Sequence, residues 1–230
     1  MEYIILIPAY NPNNKLLKLL REIDNKYPVI LINDGSDKMY DDIFEGAKKY
    51  AHVINYEENM GKGYALKTGF NYINDNYQDY IVVTMDADGQ HTLNDALKLC
   101  DRVKDNDDAL MIGKRTFDRH TPIRSRIGNR IIRKKFKKAT KMNIYDTQSG
   151  LRAFSYKLID YMLEVPGYRY EYEMNVLLNL KDNDIKYREI PIKTIYLDNN
   201  RGSHFKTIKD SYLVCKNIKK YKRKKTRICR

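Results

Sequence analysis

The stretch YIVVTMDADGQH, residues 80–91, decides the fold of this chain. Its first half, 80–85, is a run of strand-forming residues, which is typical of a strand that a parallel sheet covers on both faces. Two aspartates separated by a single alanine follow this run directly. Because side chains alternate in direction along an extended chain, Asp86 and Asp88 are expected to project to the same side at the strand's carboxyl end.

Apolar runs of the same kind occur on both sides of this stretch. They are YIILI (3–7), PVILI (28–32), HVINY (52–56) and ALMIG (109–113). Segments that favour helices separate the runs, around residues 16–23, 40–50, 64–74 and 93–103. This alternation predicts an α/β fold with a Rossmann-like, mainly parallel sheet that is flanked by helices.

A polar cluster follows each apolar run. The clusters are AYNP (9–12), NDGSD (33–37), ENMGKG (58–63), DADGQH (86–91) and GKR (113–115). In an open parallel sheet the carboxyl ends of the strands share one edge, and the binding crevice lies there. The sequence therefore predicts that these clusters meet in one site.

The second half of the chain has a less regular pattern. A basic segment, 114–141, carries Ile123, Ile127 and Ile131 at a spacing that predicts a helix with an apolar stripe. The remaining predicted elements are a loop entering a short strand (146–154), a helix (170–180), extended chain on both sides of Pro191, and a helical pattern between 204 and 222.

The chain is strongly basic, with a formal net charge of +13 and a pI near 9.4. Eight of the last twelve residues are lysine or arginine, so we predict one domain over 1–215 and a basic helical tail over 216–230. The charge indicates an anionic partner, such as nucleic acid, acidic lipid or a phosphorylated substrate.

No signal peptide or membrane span is visible in the sequence. The three cysteines have neither disulfide nor metal spacing, so the sequence favours a location in the cytoplasm.

The aspartate pair has two interpretations. Carboxylates at a strand end suit Mg²⁺ or Mn²⁺, which proteins hold by one or two carboxylates while substrate phosphates and water complete the shell. A D-x-D-G sequence is also ordinary turn chemistry. The position at the carboxyl edge of the sheet favours the metal.

The two clusters before it are open to similar alternatives. Asp34, in NDGS, either closes a turn or accepts hydrogen bonds from a nucleobase or ribose. The glycines of ENMGKG precede a helix, so backbone N–H groups and Lys62 can face an anion, although the chain lacks a P-loop or GxGxxG pattern. The arginines between 115 and 133 are either a solvated helix face or phosphate contacts.

Two other classes of protein share part of this pattern. A sugar nucleotidyltransferase would have the sheet and the metal, but its first strand should lead into a GxGT-rich loop, whereas this chain has AYNPNN (9–14). A nucleic-acid-binding protein would explain the charge, but it would not explain carboxylates collected at strand ends. We therefore expect no nucleic-acid partner.

Taken together and in order, five motifs resemble those of family 2 glycosyltransferases. They are IPAYNP, NDGS, N-x-G-K-G, MDADGQH and DTQSGLRAF, and the resemblance extends over about residues 3–215. More narrowly, the chain is similar to dolichyl-phosphate mannose and polyprenyl-phosphate glucose synthases. The resemblance implies a GT-A fold, a nucleotide-diphosphate sugar donor, a divalent cation and inversion at the anomeric carbon.

The resemblance also implies roles for individual residues. Those expected at the nucleotide sugar are Pro8, Ala9, Tyr10, Asp34, Asp86, Ala87, Arg201, Ser203 and His204, to which the chemistry of its position adds Lys62. The expected metal ligands are Asp86, Asp88 and Gln90, with Mg²⁺ or Mn²⁺ as the cofactor. The expected catalytic residues are Asp88, Asp146, Arg115 and Arg124, with Arg126 as the alternative to Arg124.

The expected reaction moves a hexose from a UDP- or GDP-sugar to a polyprenyl phosphate at the inner face of the cell membrane. A phosphate acceptor is already anionic near neutral pH, since its second pKa is about 6. The alternative acceptor is a sugar hydroxyl of a cell-surface polysaccharide or lipid-linked glycan, which requires Asp146 or Glu173 as a general base. The basic tail is expected to contact the anionic membrane surface, and a membrane-protein partner is the alternative anchor.

Overall fold

The computed structural model describes residues 1–116, 123–193 and 214–223. Its seven strands form one sheet. The strands are β1 (Glu2–Ala9), β2 (Val29–Asn33), β3 (His52–Asn55), β4 (Tyr80–Thr84), β5 (Ala109–Arg115), β6 (Arg152–Ser155) and β7 (Lys186–Ile192). The five strands predicted from apolar runs, the short strand at the end of the 146–154 segment and the extended chain as far as Ile192 are confirmed. The rest of the extended chain predicted after Pro191, and the first part of the helical pattern at 204–222, lie outside the described residues.

The sheet has the strand order β3-β2-β1-β4-β6-β5-β7. β6 pairs antiparallel with both β4 and β5, and every other pairing is parallel, so the prediction of a mainly parallel sheet is confirmed. The chain moves outward from β1 through β2 to β3 and then returns to β4 on the other side of β1. The sheet therefore has a topological switch point between β1 and β4, and ligands bind at the carboxyl edge of such a point.

Helices cover both faces of the sheet. They are α1 (Lys15–Ile23), α2 (Asp41–Ala47), α3 (Lys62–Asn76), α4 (Leu93–Lys104), α5 (Ile123–Thr140), α6 (Ile159–Glu164), α7 (Glu171–Asn179) and α8 (214–223). Alternate residues of β1 enter two separate buried clusters: Ile4 and Leu6 pack with α3, α5, α6 and α7, whereas Ile5 and Ile7 pack with α1, α2 and α4. The result is a three-layer α/β/α arrangement.

The helix predicted for the basic segment is confirmed, and the described part of its apolar stripe, Ile127 and Ile131, faces away from the core. In α5 the residues that pack into the core are Ile132 and Phe136, which are 1% and 0% exposed. Ile127 and Ile131 are 54% and 47% exposed. Both pairs have the i, i+4 spacing of a helical stripe, so the spacing alone could not show which of them faces the sheet.

Helix α8 runs across the predicted boundary between the domain and the basic tail. Val214 and Ile218 are buried in the same cluster as α3 and α7, and the Tyr221 hydroxyl donates to Asp182. The proposed division at 215 stays a prediction. None of the described helices combines the length and the apolar character that crossing a bilayer requires.

Candidate active site

The predicted acidic pair lies at the switch point, directly after β4. The loop that contains DTQSG approaches Asp86 from the neighbouring antiparallel strand β6, and the Thr84 hydroxyl donates to the Gly150 carbonyl at 2.7 Å. A Cβ atom on Gly150 would lie 2.5 Å from Asp86 Oδ2. Only glycine at this position leaves room for the carboxylate, so the loop and the acidic strand end are fitted to each other.

Asp86 is held by two basic side chains. Lys62 Nζ lies 2.7 Å from Asp86 Oδ1, and His91 Nε2 lies 3.4 Å from Asp86 Oδ2. Burial by itself would raise the pKa of the Asp86 carboxyl, but the charge of Lys62 and the contact with His91 outweigh burial and hold that pKa well below its usual range. Asp86 is therefore a fixed negative charge at the centre of the site.

Lys62 links Asp86 to Glu173 on α7. Its Nζ lies 3.0 Å from Glu173 Oε1, and the two carboxylates together raise its pKa above the usual value even though burial opposes this. Two glycines make the approach possible. Gly61 has φ 103°, and a Cβ on Gly61 or Gly63 would lie within 2.6 Å of the 168–172 segment. The GKG sequence thus allows the first turn of α3 to pack against α7.

Asp88 and Gln90 complete the acidic loop. The Gln90 backbone N–H donates to Asp88 Oδ1 at 3.0 Å. Burial, and after it the nearby charge of Asp86, raise the pKa of Asp88. A divalent cation between the two carboxylates would relieve the repulsion between them.

The donors present fit Mg²⁺ or Mn²⁺, which prefer oxygen ligands. Among the described residues, no group of three or more His, Cys, Asp or Glu side chains is arranged to hold a metal alone. Proteins usually bind Mg²⁺ through one or two carboxylates, and substrate phosphates and water complete its coordination shell. The pair Asp86 and Asp88 fits this arrangement. The assignment of Asp86, Asp88 and Gln90 as ligands stays a prediction.

Asp34 binds the loop that precedes α3. Its side chain is buried and accepts hydrogen bonds from the backbone N–H groups of Met60 and Gly61 and from the Asn59 side chain. Burial raises the pKa of Asp34, and the two backbone hydrogen bonds counteract the rise. The structure shows Asp34 fixing the shape of this loop, and its predicted contact with a nucleobase stays a prediction.

The first-strand loop lies beside Asp34, as expected for a nucleoside pocket. The Asp34 backbone N–H donates to the Ala9 carbonyl at 2.9 Å. Ser36 Oγ accepts from the Asn11 backbone N–H, and Asn11 exchanges two hydrogen bonds with Asp37. These contacts join the AYNP and NDGSD clusters at one edge of the sheet. Pro8, Tyr10 and Ala87 belong to the same edge, and their contacts with a nucleotide sugar remain predictions.

Asp146 and Arg115 bind each other. Asp146 is fully buried, and the Arg115 guanidinium donates to both of its oxygens, at 2.7 and 3.0 Å. Glu189 orders the same loop by accepting from the backbone N–H groups of Tyr145 and Asp146. The two predicted catalytic residues therefore form one bidentate ion pair at the end of β5.

We expect Asp146→Asn to lower the free energy of unfolding by about 3–5 kcal/mol, because it leaves the partly buried Arg115 without its carboxylate. Urea denaturation at fixed pH measures this loss. The control is Asp108→Asn, which removes the exposed ion pair with Lys186 and should leave stability almost unchanged. Unchanged stability in Asp146→Asn together with a collapse of turnover would contradict a holding role and indicate a chemical one.

Four of the predicted site residues have side chains outside the part of the protein that the structure describes. Arg201, Ser203 and His204 lie outside the described residues, and although Arg124 lies in α5, its side chain is not among those described. The alternative, Arg126, is exposed on the same helix.

Sequence reasoning missed three residues that the structure places against Asp86 and Lys62. His91 and Gly150 contact Asp86, and Glu173, considered only as a general base, binds Lys62. His91 lies within residues 80–91, and its position five residues after Asp86 was the available signal. Gly150 belongs to the DTQSGLRAF motif, but nothing in the sequence showed that it contacts Asp86, and Glu173 gave no local signal of its contact with Lys62.

The fold defines the class of protein. A crystal structure of glucosyl-3-phosphoglycerate synthase from Mycobacterium tuberculosis, in complex with Mn²⁺, UDP-glucose and phosphoglyceric acid, superposes with a TM-score of 0.67 over 96% of this chain and 78% of that one, at 15% sequence identity. The three-layer arrangement with its acidic strand end is a GT-A glycosyltransferase fold, and the predicted fold class is confirmed.

Sequence comparison identifies the family. Residues 4–163 match Glycosyl transferase family 2. An uncharacterised protein of Methanocaldococcus jannaschii is 31% identical over 86% of this chain and 83% of its own length. The UDP-N-acetylglucosamine–dolichyl-phosphate N-acetylglucosaminyltransferase of Methanococcus voltae is 29% identical over 84% of this chain and 86% of its own. The chain belongs to glycosyl transferase family 2 and is a glycosyltransferase.

Proposed function

We propose that this enzyme transfers a hexose, with inversion, from a UDP- or GDP-sugar to a polyprenyl phosphate. The acceptor assignment rests on one observation: both candidate general bases, Asp146 and Glu173, are bound in ion pairs. Asp146 is fully buried and bound at both oxygens by Arg115, and Glu173 binds Lys62. A sugar hydroxyl needs a base to remove its proton, whereas a phosphate oxygen is already ionised near neutral pH. The dolichyl-phosphate relative supports the same acceptor class.

The donor would lie across the carboxyl edge of β1, β2 and β4. We assign the nucleoside to the joined loops around Ala9 and Asp34, and the diphosphate to the acidic pair, Lys62 and Arg115. Asp86, Asp88 and Gln90 would hold Mg²⁺ or Mn²⁺, which when bound supplies positive charge for the departing diphosphate. Lys62 adds a cation that Asp86 and Glu173 keep protonated.

The proposed acceptor determines the cellular location of the enzyme. A polyprenyl phosphate lies in a bilayer, so we propose that the protein binds the cytoplasmic face of the cell membrane as a peripheral enzyme. The basic tail, 216–230, is the proposed contact with anionic lipid, and a membrane-protein partner is a second means of attachment.

The test is a donor and acceptor screen with purified full-length protein. UDP- and GDP-hexoses are offered with Mn²⁺ or Mg²⁺, with a short-chain polyprenyl phosphate or with free sugars and oligosaccharides as acceptor, and nucleoside diphosphate release is measured. We expect release to require both the cation and the lipid phosphate. With that acceptor, the rate should rise as pH increases through about 6, because the phosphate loses its second proton there. Transfer to a sugar hydroxyl with no response to lipid phosphate would refute the proposal.

A further inference from the structure

Helix α5 has a one-sided charge composition. Its 18 residues include four arginines and four lysines and no acidic residue. The charged side chains are Arg124, Arg126, Arg130, Arg133, Lys134, Lys135, Lys137 and Lys138. Two large apolar side chains, Ile127 and Ile131, are nevertheless about half exposed on this basic helix. Exposed isoleucines among cations are unusual for a helix that only meets water.

The exposed isoleucines lie on the side of the helix that points away from the sheet. Counting about 100° per residue, Ile127 is opposite the buried Phe136. On the same count, Ile131, Lys134 and Lys138 lie within about 40° of Ile127. We call these four residues the outer face of α5. Its first half is apolar and its second half is basic, and Ile127, Ile131, Lys134 and Lys138 are all exposed.

We infer that the outer face of α5 binds an anionic lipid bilayer. A helix that lies on a membrane places apolar side chains below the headgroups and lysines at the level of the lipid phosphates, as this combination allows. Nucleic acid would engage the lysines and leave the isoleucines in water. A second copy of the same helix would bring together two strongly basic helices that have no acidic residue. Lipid is the partner that uses both halves of the face.

The helix is also tied to the active site. It begins at Ile123, shortly after β5 ends at Arg115. The Arg133 guanidinium lies 4.5 Å from the centre of the Tyr145 ring, and Tyr145 directly precedes the carboxylate that binds Arg115. A bilayer on the outer face would therefore lie beside the phosphate-binding end of the site. This consequence rests on the proposed function, whereas binding of the helix to lipid does not.

The test is co-sedimentation of the full-length protein with phosphatidylcholine vesicles that contain or lack phosphatidylglycerol. We expect binding only with the anionic lipid. The double variant Ile127→Ser/Ile131→Ser, which keeps the net charge, should lose about tenfold in vesicle affinity. Lys134→Gln/Lys138→Gln should lose about tenfold or more and show a weaker dependence on salt. The control is Lys26→Gln/Lys49→Gln, which makes the same charge change at exposed positions just after α1 and α2, on the opposite face of the sheet, and should lose less.

Three results would overturn the inference. The first is binding of the isoleucine variant to anionic vesicles at wild-type strength. The second is a lowered melting temperature in that variant, which would show that the protein's own chain covers the face. The third is tight binding to RNA with no binding to vesicles.

A parallel assay separates this inference from the proposed function. Both α5 variants should keep wild-type transfer to a water-soluble short-chain phosphate and lose it to the same acceptor embedded in vesicles. If the protein transfers no sugar to any phosphate but still sediments with anionic vesicles through the outer face, the proposed function fails and the lipid surface stands.

Discussion

Gly150→Ala is expected to reduce sugar transfer by at least about a hundredfold while the protein stays folded. The added Cβ would lie 2.5 Å from Asp86 Oδ2 and 2.9 Å from Asp86 Oδ1. Contacts this short cannot persist, and the carboxylate is the end of a rotatable side chain, whereas Gly150 is held by the hydrogen bond from Thr84. Asp86 should therefore turn away from Lys62 and His91. A displacement of about 1 Å at a reacting centre can cost about 10² in rate.

The measurement is the steady-state rate with saturating donor, together with thermal denaturation and Mn²⁺ titration. The matched control is Gly46→Ala in α2, where the new Cβ would meet only the Leu17 side chain at an ordinary 3.4 Å. We expect the control to keep full activity and to gain slight stability from the better helix former. Wild-type turnover in Gly150→Ala, with an unchanged melting temperature, would show that the position of Asp86 is not required.

The centre of the sheet was predictable because β1, β2, β4 and β5 are buried on both faces over most of their length. Strands of this kind have continuous apolar sequences, and each apolar run in this chain is followed by a cluster of polar loop residues. The short strand β6 was also visible in the sequence. Its antiparallel insertion between β4 and β5 was not, because it results from the path of the chain and not from any local pattern. The same limit applies to α5, where the spacing of the isoleucines could not show that Ile127 and Ile131 face away from the sheet.

The location of the candidate active site was predictable from the sequence, whereas most of its side-chain contacts were not. Residues at strand ends were expected to meet, and the acidic loop, Lys62 and Arg115 do lie along one edge. The sequence could not show that Asp146 and Arg115 form an ion pair, or that Glu173 reaches Lys62 from 111 residues away. Long-range pairing decides which charges of the site remain available to a substrate.

Removing the charge of Lys62 should change metal affinity and turnover in opposite directions. Lys62 Nζ lies 2.7 Å from Asp86 Oδ1, so a divalent cation that binds this carboxylate has to compete with the ammonium group. In Lys62→Met that competition disappears and Glu173 loses its partner, which makes the site more negative. We expect Mn²⁺ to bind the free enzyme about tenfold more tightly, which corresponds to about 1.4 kcal/mol of binding free energy. This gain is smaller than the interaction energy of about 4 kcal/mol between two unit charges about 4 Å apart at an effective dielectric constant of about 20.

Turnover should fall by about 10²–10³ in the same variant. Lys62 is the cation that would face the departing diphosphate, and loss of one preorganised donor to a developing negative charge typically costs this much. The control is Lys67→Met, on the same helix, which removes an ammonium group that lies over the rings of Tyr168 and Tyr172 and is not part of the carboxylate pair. It should change neither Mn²⁺ affinity nor turnover by more than a few-fold.

Calorimetric titration of Mn²⁺ into each variant, combined with initial rates at saturating Mn²⁺, distinguishes the roles of Lys62. Glu173→Gln should act in the opposite sense on the metal, because Lys62 then gives all of its charge to Asp86 and competes more strongly with Mn²⁺. An unchanged Mn²⁺ affinity in both Lys62→Met and Glu173→Gln would mean that the cation binds away from Asp86. Tighter Mn²⁺ binding with undiminished turnover would mean that Lys62 only balances the charge of Asp86 when no metal is bound. Lys62 would then have no role in sugar transfer itself.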